Sequence, residues 1–165
     1  MIAGLNLSTE GESKLAILSD ETRIISMDTN EEIMEAIPEK VDILAVNAPL
    51  NPGEGLTEKE EELVDEGHQF SPSTQNKTLG RRAMHLKQLM AQNKPNIEFI
   101  RYDPMLTSKE LAIDGDDALK SYGISIDSIS SSSEFDAVLG AVTARFYQEG
   151  ACEDLGVQVP TSFEE

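Results

Sequence analysis

The chain has 165 residues, a single cysteine, and 31 acidic against 13 basic side chains, for a net charge of −18. With 39% hydrophobic and 27% charged residues it is long and apolar enough to bury a core, which excludes global disorder. One cysteine excludes an internal disulfide or a cysteine-based metal cluster, and so acidic a chain repels phosphate and anionic lipid at long range.

Residues 2–8 read as a buried strand, and Gly11 with Ser13 marks a turn. Residues 14–19 and 22–27 alternate as two further strands joined by Asp20-Glu21, so the first three strands form an antiparallel meander. Thr29 caps a helix with Glu32 as its capping-box partner, and Pro38 stops it after Ile37. Residues 42–46 are almost continuously apolar, the pattern of a parallel strand covered on both faces. Pro49, Pro52, Gly53 and Gly55 make a loop, residues 58–66 a short acidic helix, and residues 67–73 a second loop. Residues 77–93 form a long amphipathic helix carrying Leu79, Met84, Leu86, Leu89 and Met90, which Pro95 ends.

A fifth strand is expected over residues 97–102, followed by helical turns near 108–112 and 116–122. Ser131 opens a last helix with Glu134 at the capping-box position, carrying Phe135, Val138, Leu139, Val142 and Phe146 to Gly150. Leu155 to Pro160 is apolar enough to pack, giving one domain over residues 1–160 with 161–165 fraying. No apolar run approaches the roughly 18 residues that span a bilayer. Because a strand already starts at Ile2, we expect no signal peptide and a cytoplasmic protein.

Charge is unevenly distributed. Residues 67–97 contain no acid but carry Lys77, Arg81, Arg82, Lys87 and Lys94, a local +5 that leaves −23 on the other 134 residues. Lys77, Arg81 and His85 fall on one helical face. Two readings follow. The cations pair with the acidic stretch 58–66, or Lys77, Arg81, Arg82 and Lys87 are the one place where nucleic acid can be met.

Other constellations are unproductive. His68 and His85 share no metal-ligand spacing with Cys152 or with each other, so zinc is not expected. Gly53-Glu54-Gly55 lacks the Lys-Ser/Thr helix start of a phosphate loop. Ser71 and Ser73 have no His/Asp arrangement of a hydrolase.

Three antiparallel strands, a helix, then parallel strands separated by helices is the element order of the ribonuclease H-like fold. The strings Gly4-Leu5-Asn6-Leu7, Val46-Asn47-Ala48-Pro49-Leu50, Gly67-His68-Gln69-Phe70-Ser71-Pro72 and Arg101-Tyr102-Asp103-Pro104 go further. With Tyr122-Gly123-Ile124, Phe135-Asp136-Ala137-Val138, Thr143-Ala144 and Asp154-Leu155-Gly156 with Val159-Pro160, their order and spacing resemble a family of uncharacterised bacterial and archaeal predicted RNase H-like nucleases. The resemblance covers nearly the whole chain. It implies an α/β three-layer fold with a five-stranded mixed sheet ordered 3-2-1-4-5, strand 2 antiparallel, and helices on both faces.

The resemblance also implies a site at the strand ends. The family pattern has Asp where this chain has Asn6 and Asn47, Glu where it has Arg101, and Asp at Asp136. Two-metal hydrolysis needs several anionic oxygens around ions about 3.5–4 Å apart, and here only Asp136 remains. Asp103, two residues beyond Arg101, lies on the same side of an extended strand and can replace the missing Glu, or it starts a turn with Pro104. Asp136 is either a weak metal ligand or an acid favoured by the start of its helix. Asn6 and Asn47 bond each other and nearby backbone, or they bind a ligand together with Arg101, Arg81 and Arg82.

The expectation is therefore a degenerate nuclease homologue acting by binding or assembly, with no cofactor. The alternative is an active nuclease using Asp136 and Asp103 with magnesium or manganese. The sequence leaves a homodimer open.

Overall fold

A computed structural model describes residues 1–8, 12–19, 21–48, 77–113, 116–122, 124, 129, 131–154 and 157–161. The expected acidic helix at 58–66, the flanking loops with His68, Ser71 and Ser73, and the last four residues lie outside the described residues.

Five strands form one sheet: β1 (Ile2–Asn6), β2 (Ser13–Leu18), β3 (Thr22–Met27), β4 (Ile43–Val46) and β5 (Glu98–Arg101). Their order is β3-β2-β1-β4-β5. β1 runs antiparallel to β2 and parallel to β4, and β4 runs parallel to β5, as the element order predicts. The registers Leu5↔Val46 and Val46↔Arg101 bring the carboxyl ends of the three parallel strands level.

Side chains alternate across the sheet, and both faces are apolar. Ala3, Leu5, Leu44 and Val46 join Ile33 and Ile37 of helix α1 (Asn30–Ala36) and its following residue, and Ala83, Leu86 and Met90 of α2 (Lys77–Asn93). Ile2, Ile43 and Ala45 join the opposite layer, dominated by α5 (Ser132–Gln148), whose residues Ala137 to Ala144 are buried throughout. That two-sided burial makes β4 a nearly unbroken apolar run.

The expected caps are present. Thr29 and Glu32 form a reciprocal capping box on α1, and the Ser131 hydroxyl accepts from the Glu134 N–H at 3.2 Å. Gly150, next to the Glu149 C-cap of α5, takes φ +75, a left-handed conformation that suits glycine.

The structure differs from the sequence reading in several places. Met84 is 38% exposed while Ala83 is buried, so the core face of α2 is rotated slightly from the one expected. Helix α3 (Pro104–Glu110) starts earlier than predicted, because Asp103 caps it and Pro104 supplies a preset first turn. After it come α4 (Asp116–Leu119) and a single 3-10 turn, Lys120–Tyr122. The tail forms a small hairpin of β6 (Cys152–Asp154) and β7 (Gln158–Pro160), with Val157 and Val159 packed on Leu106. Thr161, expected to fray, donates to Ala151 O from its backbone at 2.9 Å and its hydroxyl at 3.0 Å. Among the described residues no helix is long and apolar enough to cross a membrane.

Candidate functional site

Gly4 lets α5 approach β1 at backbone range. A Cβ on Gly4 would lie 2.2 Å from both Ala137 O and Ala141 N. One on Gly140 would lie 2.6 Å from the Tyr102 ring. Tyr102, immediately after β5, is fully buried, and its hydroxyl donates to Asp136 O at 2.9 Å. These contacts set the start of α5 over the ends of the parallel strands.

Asn6 ends β1 and Asn47 follows β4. The Asn47 Nδ2 donates to Asn6 Oδ1 at 2.7 Å. The backbone determines which way both amides face. Asn6 Nδ2 donates to Ser133 O at 3.0 Å, and Asn47 Oδ1 accepts from Leu7 N at 2.7 Å. A carbonyl can meet only a donor and an N–H only an acceptor, so the Asn6–Asn47 bond has one direction. Asn47 Nδ2 also reaches Leu7 O at 3.3 Å. The pair thus joins β1, β4 and the first turn of α5, and both side-chain oxygens already accept hydrogen bonds.

Beside the pair lies an open cavity of about 390 Å³ whose lining includes Asn47, Arg101, Asp103, Phe135 and Asp136. Asp103 is only 9% exposed and caps α3, its Oδ1 accepting from Met105 N at 2.9 Å and Leu106 N at 3.4 Å. Asp103 therefore starts a helical turn, as one sequence reading expected, and also lines the cavity. Asp136 is half-buried, and burial, with the negative charge of Asp103 adding to it, holds its carboxyl above the usual range. Burial likewise pushes the Tyr102 phenol well above its ordinary value, with Asp136 and Asp103 reinforcing the effect. Asn47, Arg101, Asp103 and Asp136 are thus brought together, with Asn6 bonded to Asn47.

This donor set does not fit a two-metal centre. Such a site needs several anionic oxygens, and magnesium favours carboxylate, water and phosphate oxygens. Here Asn6 and Asn47 are neutral amides with engaged oxygens, Arg101 is a cation, and Asp103 Oδ1 is occupied as a helix cap. Among the described residues no group of three or more His, Cys, Asp or Glu side chains is arranged to hold a metal ion.

The basic helix α2 reaches this cavity through Leu79, and its arginines lie elsewhere. Arg82 binds inward. Its Nε donates to Asn30 Oδ1 at 3.0 Å, Nη2 to Asp28 O at 2.7 Å, and Nη1 to Ser8 O. Asn30 in turn donates to Arg82 O at 3.2 Å and meets His85 Nδ1 at 3.0 Å. Arg81 and Lys87 are exposed on different sides of α2, at positions about 120° apart around a helix of 3.6 residues per turn. Of the expected ligand-binding set, Arg81 and Arg82 are therefore not lining residues of the strand-end cavity.

The sequence reading did not single out Gly4, Gly140, Asn30 or the Tyr102 hydroxyl. The Gly4-Leu5-Asn6 string carried a signal, since a glycine inside a central strand marks close backbone approach. The partners of Asn30 and Tyr102 are distant in sequence and leave no local trace.

No family model and no curated protein sequence matches the chain. Among solved structures, T. thermophilus RuvC in complex with Holliday junction substrate aligns with a TM-score of 0.57 at 13% identity, covering 96% of this chain and 98% of that one. At that identity the likeness carries the architecture and nothing finer. The chain has the ribonuclease H-like fold, as the element order and sheet topology indicate.

Proposed function

We propose that this protein is a nuclease-fold homologue whose strand-end site acts by binding or assembly and not by two-metal hydrolysis. The observation that carries the reading is the 2.7 Å bond from Asn47 Nδ2 to Asn6 Oδ1. Two aspartates in those positions would face each other as like charges, relieved only by a cation or a shared proton. Two asparagines satisfy each other and need neither. The finer kinship with uncharacterised predicted nucleases rests on the sequence strings, and it supplies the contrast between aspartate and asparagine.

Nucleic acid is the partner class this reading carries forward, because the RuvC neighbour is in complex with a Holliday junction substrate. In this chain the exposed cations of α2, Arg81 and Lys87, are the residues offered for phosphate. The second reading, a divalent-metal nuclease built on Asp136 and Asp103, is favoured by one observation. The two carboxyls line the same cavity, and the charge of Asp103 is felt at Asp136.

An assay of purified protein with manganese on single-stranded, duplex and junction DNA separates the two. The proposal expects no metal-dependent cleavage. Cleavage abolished by Asp136→Ala would overturn it in favour of the second reading.

A further inference from the structure

A second hollow lies at the other end of the sheet. β1 begins there with Ile2 and ends at Asn6, so the two sites are separated by about 13 Å of strand at 3.3 Å per residue. The hollow measures about 450 Å³, and its lining includes Met1, Ile2, Leu18, Lys40, Arg145 and Gln148, with Ser19 beside them. Its composition is unusual for this chain. Acids outnumber bases 31 to 13 overall, yet this lining holds two cations and no carboxylate.

The polar groups converge from separate elements. Lys40 comes from the turn before β4, Ser19 from the end of β2, and Arg145 and Gln148 from the last turn of α5. Arg145 is held in place by an Nη1 hydrogen bond to Tyr122 O at 2.7 Å, and it also lines the hollow. Ion pairs among the described residues are few and involve neither Lys40 nor Arg145. Asp42 is turned to the Met1 amino group at 3.2 Å, which neutralises that acid locally.

A helix C-terminus ordinarily disfavours an anion through its free carbonyls. Here Arg145 O, Phe146 O and Tyr147 O accept from Glu149, Ala151 and Gly150 at 3.1, 2.8 and 3.0 Å. The closing turn therefore engages these carbonyls and removes part of that penalty.

We infer that this hollow is a binding site for a small oxyanion, a phosphate- or carboxylate-bearing molecule, gripped by Lys40 and Arg145 with Ser19 and Gln148 as neutral donors. Ile2 and Leu18 provide an apolar floor for the uncharged part of such a ligand. A guanidinium and an ammonium together match an oxyanion through charge-assisted hydrogen bonds. The ligand is small because the hollow measures about 450 Å³ and its two cations offset one or two charges.

The test is a titration of the full chain with inorganic phosphate, with acetate as the carboxylate arm and chloride at matched ionic strength as control. Amide shifts of Ser19, Lys40 and Gln148 are followed by NMR. Saturable shifts with either oxyanion support the site, and the stronger of the two assigns the headgroup. Lys40→Glu should weaken binding by about tenfold or more, the loss of one charge-assisted contact. Lys40 is exposed, so that variant should keep the parent's melting temperature. Arg145→Gln should weaken binding as well, but it also removes the bond to Tyr122. Shifts no larger than with chloride, or a Lys40→Glu protein that titrates like the parent, would overturn the inference.

Discussion

Asn47 donates a side-chain hydrogen bond to Asn6 at 2.7 Å, across the seam where β1 and β4 run parallel. Both amides are oriented by backbone partners on their far sides, Leu7 N and Ser133 O. The bond ties together the ends of two parallel strands. It also leaves Asp136 as the cavity carboxyl that caps no helix.

Asn47→Ala removes three hydrogen bonds at once, to Asn6 Oδ1, Leu7 O and Leu7 N. The site is half-exposed and water can replace some of them. The expected destabilisation is about 1–3 kcal/mol by urea denaturation. A double-mutant cycle with Asn6→Ala should give a coupling of at least about 0.5 kcal/mol. Strict additivity would mean that the amides do not act as a pair.

Gly4→Ala tests the docking of α5. The added methyl would meet Ala137 O and Ala141 N, backbone atoms that cannot turn aside. A loss of about 3 kcal/mol is expected, at the upper end of overpacking costs, with α5 displaced from β1. Gly140→Ala meets a ring instead of backbone and should perturb Tyr102 first, visible as a change in its environment.

Asp136 gives a pH dependence of known sign. Its folded carboxyl is held above the ordinary value, so the protonated form suits the folded state. That contribution is complete below the unfolded carboxylate range and is lost as pH rises through the raised folded value. Asp136→Asn should therefore match the parent at strongly acidic pH and become relatively more stable toward neutrality. Asp103→Asn keeps a good helix cap but removes a charge near Asp136, so it should bring the Asp136 titration down. Equal pH profiles for Asp136→Asn and the parent would contradict this account.

The two arginines of α2 should separate cleanly. Arg82→Ala breaks three inward bonds that tie α2 to Ser8, Asp28 and Asn30, and charge-assisted bonds of this kind contribute about 1.5–3 kcal/mol each. Even with partial replacement by water, a loss of about 2 kcal/mol is expected. Arg81→Glu lies on the exposed surface and should change stability by less than about 1 kcal/mol. If α2 meets nucleic acid, Arg81→Glu should reduce salt-sensitive binding to labelled DNA while leaving the melting temperature unchanged. Loss of stability from Arg81→Glu, with Arg82→Ala silent, would reverse the assignment.

Fold and site were legible to different depths in the sequence. The strand order followed from the order of elements, and the buried run at 2–8, the alternation at 14–19 and 22–27 and the continuous run at 42–46 record which faces are covered. The Thr29/Glu32 and Ser131/Glu134 caps were readable as local patterns, and both are formed. Asp103-Pro104 was read as a possible turn, although a cap followed by proline is also a helix start, as α3 turns out to be. Convergence of Asn47, Arg101 and Asp136 on one cavity came from family resemblance, since they belong to different parts of the chain, whereas Asp103 was reached by its two-residue spacing from Arg101. The Arg82–Asn30–His85 cluster was not legible at all. Its partners are more than fifty positions apart and no periodicity links them.

The central claim is that the amide pair takes the place of a metal centre, and manganese binding tests it most directly. Calorimetric titration and melting temperature should be compared for the parent and for Asn6→Asp with Asn47→Asp. The parent should show no manganese-dependent rise in melting temperature. The double variant should be less stable without metal, because two carboxylates then face each other where a 2.7 Å hydrogen bond stood, and manganese should restore it. Stoichiometric manganese binding by the parent, lost in Asp136→Ala, would contradict the account.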